Sequence, residues 1–416
     1  MPEERRRILI QIGLFIATFM TTTLAGTEWV YGKSIWLADF VWNDQYSWTD
    51  FVNGMYFSVP FLLILTVHEF GHYFTAMYHK IRSTLPYYIP FPPGIFLSPG
   101  TMGAVIRIKD RVRSNRQHFD IGIAGPLAGF VVAVAVVVYG FATLPPAEYI
   151  YQFHPEYEKF GLNYADSVYT NGYVVKYARE QLRLRKDELK LTDEQLKKAE
   201  KEPVGLMDVQ VGSTLLFELC KVFVADKSRI PNPHELMHYP LLLAGFFALF
   251  FTSLNLLPIG QLDGGHILYG LFGWRTHRRV ASVAFVLLLF YAGLGTVRIG
   301  TPKEGLPLVV LSSLGIMVFY YLCFGALGGS RRDRGMYAVL MFAVQVLLTW
   351  VFPAADGYPG WMLFAFVVGR FVGVPHPHSD IEQPLDTKRV ILGWISLLVF
   401  ILSFTPAPLR LEILGG

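Results

Sequence analysis

Long apolar runs separated by short polar connections extend along most of the chain. A membrane-spanning helix needs about 20 mostly apolar residues. Eight runs of suitable length lie near 8–26, 54–79, 120–144, 240–258, 279–297, 306–327, 336–353 and 390–405. A shorter run at 359–373, interrupted by Arg370, is a ninth candidate. The pattern predicts an all-α polytopic membrane protein with eight or nine transmembrane helices.

Composition agrees with this interpretation. Of the 416 residues, 53% are hydrophobic and only 16% are charged, which is too apolar for an ordinary soluble domain. The net charge of +4 comes from basic residues that flank the apolar runs, where they orient helices. No nucleic-acid partner is therefore expected. The two cysteines, Cys220 and Cys323, are expected on opposite sides of the membrane, which excludes a disulfide framework.

The basic residues also predict the topology. Arginines at positions 5–7 precede the first run, which is long enough to remain as an anchor. If they lie in the cytoplasm, four further basic connections do so too, as the positive-inside rule requires: 80–82 with 107–116, 275–279, 331–334 and 388–389. We therefore predict a cytoplasmic N-terminus in a multi-pass protein of a prokaryotic plasma (inner) membrane, with an organelle membrane as the alternative.

One long connection, 145–238, interrupts the series and is predicted to be an extramembrane insertion. Within it, the charged stretch 186–202 predicts a solvated helix that begins with a capping box of Thr192 and Gln195. The predicted organisation has five parts: an anchor helix and outer loop (1–53), core helices with an inner β-like loop (54–144), the insertion (145–238), a further core helix (239–273) and accessory transmembrane helices (274–416).

The second apolar run contains the sequence HEFGH at 68–72. Histidines four residues apart share a helix face, so one cation can contact both His68 and His72. Three ionisable side chains in one turn at membrane depth are costly unless they pair or coordinate an ion. A metal site is the favoured interpretation, and a hydrogen-bonded polar helix interface is the alternative.

The same spacing recurs in HELMH at 234–238. Prolines at 231, 233 and 240 surround it, and Pro240 allows at most one helical turn. Asp263 lies 25 positions beyond His238, too far to serve it along a helix. This motif is thus left without a third ligand, and the start of an interfacial helix is the favoured interpretation.

A third ligand for the first motif is available in NLLPIGQLDGGHI at 255–267. Its proline and glycines must break the fourth span, and Asp263 lies in that break at about the depth of His68. A catalytic zinc usually has three protein ligands and one open position. A simple Asp-Gly turn, or His266 as the ligand instead, are the alternatives.

The histidines of VPHPHSD, at positions 376 and 378, offer a further possible metal site. Proline on both sides of His376 favours an exposed loop for both His376 and His378.

HEFGH followed by NLLPIGQLDGGH closely resembles the site-2 protease family (peptidase family M50), membrane-embedded zinc metalloproteases that cut the transmembrane helices of other proteins. FDIGIAGPLAGF at 119–130 is similar to that family's third core helix, and the resemblance covers about 54–273. The C-terminal PHPHSDIEQPLDTKRVILGW is similar to the tail of bacterial and plastid members. No PDZ module or CBS pair, which regulate some members, is evident in the sequence.

The resemblance implies one zinc ion per chain, with three ligands and a general base. The ligands are His68, His72 and Asp263, and the base is Glu69. It also gives Asn255 a role in holding the substrate or the oxyanion. A three-helix catalytic core and a small membrane-embedded β element complete the expected fold.

The proline- and glycine-rich but apolar stretch 85–109 is where that β element is expected. MGAVIRI within it predicts an edge strand, to which an unwound substrate can add through main-chain hydrogen bonds. Gly103, Ala104 and Val105 are therefore predicted to contact substrate, and a loop that merely shields the site is the alternative.

The predicted function is a zinc-dependent endopeptidase that cuts a transmembrane protein substrate inside the lipid bilayer. A membrane metal carrier or channel with the same zinc cluster is the main alternative, and it has no need of Glu69 as a base. A membrane zincin of the CAAX-processing type is a third possibility, against which the LDGG element argues.

Overall fold

The structure is a computed structural model that describes residues 2–36, 42–94, 98–184, 186, 192–199, 206–298 and 306–415. The described chain is mostly helical, with two small sheets. Its α-helices are α1 (Pro2–Tyr31), α2 (Trp48–Tyr78), α3 (Asn115–Ala142), α4 (Ala165–Val168), α5 (Asn171–Leu184), α6 (Asp193–Ala199), α7 (Leu215–Phe223), α8 (Pro240–Asn255), α9 (Asp263–Gly293), α10 (Leu306–Cys323), α11 (Arg331–Val351), α12 (Trp361–Val367) and α13 (Thr387–Ser403). The strands are β1 (Tyr87–Pro90), β2 (Thr101–Val105), β3 (Leu206–Val211) and β4 (Leu409–Leu414).

Several helices suit a membrane. Among the described residues, five are long and apolar enough to cross one: Glu3–Tyr31, Trp48–Tyr78, Asn115–Ala142, Val309–Leu327 and Arg331–Val351. The apolar helices Pro240–Asn255 and Trp361–Val372 are shorter. A helix overlaps each apolar run of the sequence, and the five candidate spans among the described residues are fewer than the eight or nine transmembrane helices predicted.

Four helices form the centre of the molecule. α2 packs against α3 and α8, α3 packs against α8 and α9, and α1 packs against α2. Glycines permit the close approach, as is common between membrane helices. A Cβ on Gly71 would lie 2.6 Å from the Ala124 oxygen of α3, and a Cβ on Gly26 of α1 would lie 2.7 Å from the Gly54 oxygen of α2.

The predicted edge strand is present as β2, antiparallel to β1 and in contact with α2. Tyr87 pairs with Val105 and Tyr88 with Ala104. The register then shifts, because Gly103 has φ +105°, a conformation that only glycine adopts easily.

The insertion is not an isolated lobe. Its strand β3 pairs antiparallel with β4 at the opposite end of the chain. The predicted capping box is present at α6, where Thr192 N–H donates to Gln195 Oε1 at 2.9 Å and Gln195 N–H donates to Thr192 Oγ1 at 3.2 Å. The rest of the helix predicted over 186–202 falls on 187–191 and 200–202, which lie outside the described residues.

Candidate metal centre

The HEFGH sequence lies on α2, whose helical period turns His68 and His72 toward the same side. Both imidazoles and the Glu69 carboxylate are buried. The Nδ1–H of His72 donates to the Ile121 carbonyl at 2.7 Å. That bond fixes the orientation of the ring and leaves a lone pair on Nε2, which faces the centre of the helix cluster. Metal-binding histidines commonly have such a hydrogen-bond partner at their other ring nitrogen.

Asp263 reaches the same point because α8 and α9 are separated by a tight break. α8 ends at Asn255, the chain reverses with Gly260 at φ +59°, and Asp263 begins α9. A Cβ on Gly264 would lie 2.6 Å from the Leu257 oxygen, so a larger residue would push the turn open. The Pro-Gly-rich sequence therefore places a carboxylate opposite the two histidines.

Three donor atoms converge there. His68 Nε2 and His72 Nε2 lie 3.1 Å apart, and Asp263 Oδ2 lies 3.5 Å from the first and 3.3 Å from the second. Zinc with tetrahedral bonds of about 2.0–2.1 Å separates its ligand atoms by roughly 3.3 Å. Two imidazoles and one carboxylate in this triangle fit a zinc ion with one further position open.

The neighbouring sequence AGPLAG on α3 makes room for both rings. A Cβ on Gly125 would lie 2.5 Å from Cδ2 and Cε1 of His72 and closer still to Nε2. A Cβ on Gly129 would lie 3.0 Å from Cβ of His68. These glycines, four residues apart, thus let α3 pack directly over the two histidines of α2.

A cavity of about 140 Å³ opens beside the triangle. It brings together Glu69 and all four residues that were predicted to contact substrate: Gly103, Ala104, Val105 and Asn255. The Asn255 amide nitrogen also lies 3.3 Å from His68 Nε2. Met102, Phe251 and Thr252 line the cavity as well and had not been singled out from the sequence.

The second motif differs from its prediction. As expected from Pro240, HELMH forms only a short turn, a 3-10 helix at Leu236–His238. A further candidate ligand atom nevertheless lies beside this motif, although His234 is not part of the group. Donor atoms of His154, Glu235 and His238 lie within 4.8 Å of one another, because residues three apart share a side in a 3-10 turn and the insertion supplies His154.

The prediction of an exposed PHPH loop is wrong for His376, which is only 1% exposed. Its prolines turn the loop back into the protein, where the ring stacks on Tyr269 and Nε2 lies 2.7 Å from His266 Nδ1. Burial lowers the pKa of His376. The side chain of His378 is 62% exposed, as predicted. His266 therefore faces His376 and His118 rather than the Asp263 triangle.

Comparison with known proteins gives one family match and several curated relatives. The sequence model of peptidase family M50 matches residues 56–297. A probable chloroplastic zinc metalloprotease, EGY2 of Oryza sativa subsp. indica, is 25% identical over 236 residues, which are 57% of this chain and 32% of the relative. The chloroplastic EGY1 of Arabidopsis thaliana, also named a probable zinc metalloprotease, is 24% identical over 216 residues, 50% of this chain and 28% of the relative.

The matched region thus spans about a third or less of these relatives' own length. No solved structure shows significant similarity to the chain. The region matched by the family model includes all three residues of the triangle, His68, His72 and Asp263.

Proposed function

The chain belongs to peptidase family M50, and we propose that it is a zinc-dependent endopeptidase that cuts transmembrane segments of other proteins within the bilayer. The observation that carries the proposal is the convergence of His68, His72 and Asp263 beside Glu69 and an adjoining cavity. The three donors are the zinc ligands, and Glu69 is the catalytic base. Zinc, when bound, lowers the pKa of its water and polarises the scissile carbonyl.

Glu69 follows His68 on α2 and lines the same cavity, so its carboxylate lies where a water molecule and a substrate amide would meet. It accepts the proton of the attacking water and delivers it to the leaving amine. The Asn255 amide at the same cavity donates a hydrogen bond to the carbonyl oxygen as negative charge develops there.

A transmembrane helix hides its peptide bonds in internal hydrogen bonds, so the substrate must unwind before it is cut. β2 offers it a main-chain partner, since Gly103, Ala104 and Val105 line the cavity that holds Glu69. β1 pairs with one edge of β2, and Val105 of β2 is 52% exposed. Substrate added as a third strand would pass its peptide bonds beside the triangle.

The membrane setting is part of the proposal. We propose eight or nine transmembrane helices, a cytoplasmic N-terminus and the five-part division of the chain at residues 53, 144, 238 and 273. Zinc is proposed at one catalytic ion per chain. The names of the relatives place them in chloroplasts, so an organelle membrane suits the chain, and a prokaryotic plasma membrane is the other setting proposed.

The proposal is tested by comparing membrane-protein fragments in cells that carry the native chain or Glu69→Gln. We expect a single-span protein, shortened on its outer side, to accumulate in the variant, because its cleavage requires the base. If nothing accumulates while the variant still binds zinc, proteolysis is refuted. Metal flux, which a carrier with the same cluster would support without Glu69, would then be measured in both strains.

A further inference from the structure

A second triangle of metal-ligating atoms lies outside the membrane helices, in the insertion and at the turn before α8. His154 Nε2 and His238 Nε2 lie 3.3 Å apart. Glu235 Oε2 lies 3.6 Å from the first and 3.3 Å from the second. These separations match those of His68, His72 and Asp263, and they again fit the roughly 3.3 Å spacing of ligands on a tetrahedral zinc.

The outward-facing atoms of this triangle already have partners. His238 Nδ1–H donates to the carbonyl of Val30, at the end of α1. Tyr169 O–H donates to Glu235 Oε1, which leaves Oε2 for the triangle. His154 Nδ1 lies 3.5 Å from Glu156 Oε1. Such outer partners fix the tautomers and orient the donors of metal sites.

Burial makes the triangle costly unless a cation joins it. The side chain of Glu235 is 4% exposed, and in the described part of the chain the only basic groups within 4.0 Å of its carboxylate are His154 and His238. Aromatic rings enclose the site, with Phe153 stacked on His238 at 4.3 Å and Tyr157 on His154 at 4.6 Å. A buried carboxylate needs a compensating charge.

We propose that His154, Glu235 and His238 bind a second divalent cation of the zinc type. The assignment is independent of the proposed protease function. His154 comes from the insertion, His238 directly precedes α8, and Val30 lies in the last turn of α1, so the ion would fasten the insertion to α8 and α1. The side chain of His154 is 31% exposed, so solvent reaches one edge of the triangle.

A third cluster of possible ligands among the described residues, His118, His266 and His376, is built differently. His266 Nδ1 and His376 Nε2 lie 2.7 Å apart, the length of a direct hydrogen bond and shorter than the spacing of two ligands on one zinc. It also has no carboxylate among its three donors, His118, His266 and His376. The second triangle, His154, Glu235 and His238, is therefore the better match to a cation site.

The test is the zinc content of the purified full chain in detergent, measured by mass spectrometry after dialysis against buffer with micromolar Zn²⁺. We expect Glu235→Gln and His154→Ala each to lose one zinc per chain relative to the native protein. His378→Ala is the control: it removes a histidine of another loop, whose side chain is 62% exposed, outside the triangle. It should keep the native content.

The same comparison is repeated in a His68→Ala background, where the catalytic ion is absent. A further loss of one zinc on adding Glu235→Gln or His154→Ala supports a separate second site. Native zinc content in both variants would overturn the proposal.

A misfolded variant would also lose metal, so a second measurement uses Co²⁺ as the probe in the His68→Ala background. We expect one equivalent to give the intense visible absorption of tetrahedral Co²⁺, and we expect His154→Ala, at a partly exposed position, to abolish it without lowering the helix content. A His68→Ala protein that folds but shows no such absorption contradicts the site.

Discussion

Replacing Gly125 with alanine tests whether α3 positions the candidate zinc ligands. The added Cβ would lie 2.5 Å from two ring carbons of His72, about 1 Å short of an ordinary contact of about 3.5 Å. The ring is tied to the Ile121 carbonyl and has α3 over it. It must therefore tilt away from His68 and Asp263, or α2 and α3 must separate.

A displacement of about 1 Å at a catalytic group lowers the rate by about 10²-fold, which corresponds to about 2.7 kcal/mol of barrier. We expect Gly125→Ala to lose at least this factor and to bind less than one catalytic zinc. Gly129→Ala, whose Cβ would lie 3.0 Å from Cβ of His68, should lose less than about tenfold. Gly13→Ala has no atom within 4 Å of the new Cβ and should leave the cleavage rate and the zinc content unchanged.

The assay measures cleavage of a single-span substrate by purified protein in lipid vesicles, together with zinc per chain, for the three variants. A graded series, with Gly13→Ala near native and Gly125→Ala lowest, supports the packing argument. Native activity and native zinc content in Gly125→Ala would refute it, because the ring cannot keep its position beside that Cβ.

Three further outcomes are expected. Asn255→Ala should lower kcat/KM by about 10²-fold while zinc content stays native, because it removes a hydrogen-bond donor to the substrate and no zinc ligand. Loss of zinc would instead show that Asn255 supports the structure of the metal site. Gly103→Val, at φ +105°, should destabilise β2 by about 1–3 kcal/mol and slow cleavage. The control is Gly161→Val, at φ +62° in the insertion, which should strain the backbone without slowing cleavage. Arg389→Lys should lower the free energy of unfolding by about 1–3 kcal/mol in a denaturant titration, because the two-bond pairing of the guanidinium with the Asp120 carboxylate, with both bonds at 2.7 Å, is lost. An unchanged transition midpoint would show that this ion pair between α3 and α13 does not contribute to stability.

The helices, the shared face of His68 and His72 and the break before Asp263 could be anticipated because their signals are local. A 20-residue apolar run specifies a helix, four-residue spacing places His68 and His72 on one face, and Pro and Gly after Asn255 require a break. β2 was also foreseen from its short apolar sequence between turns. Each of these signals needs only neighbouring residues, whereas the pairing of Asp263 with the two histidines also used the predicted depth of the spans and the resemblance to site-2 proteases.

The parts that were missed depend on distant segments. His154 meets His238 from 84 residues away, and β3 pairs with a strand at the far end of the chain. His376 is buried because α3 and α9 supply His118 and His266 as neighbours, which the surrounding prolines do not reveal. Long-range packing, rather than local pattern, decided these positions.

Whether Glu69 acts as the base in intramembrane proteolysis is decided by comparing the native chain with Glu69→Gln, both zinc-loaded, on one single-span substrate in lipid vesicles. We expect the variant to keep its catalytic zinc and to lose at least about 10²-fold in cleavage rate, because the ligands remain and only the base is gone. A zinc-loaded Glu69→Gln protein that cleaves at the native rate would contradict it.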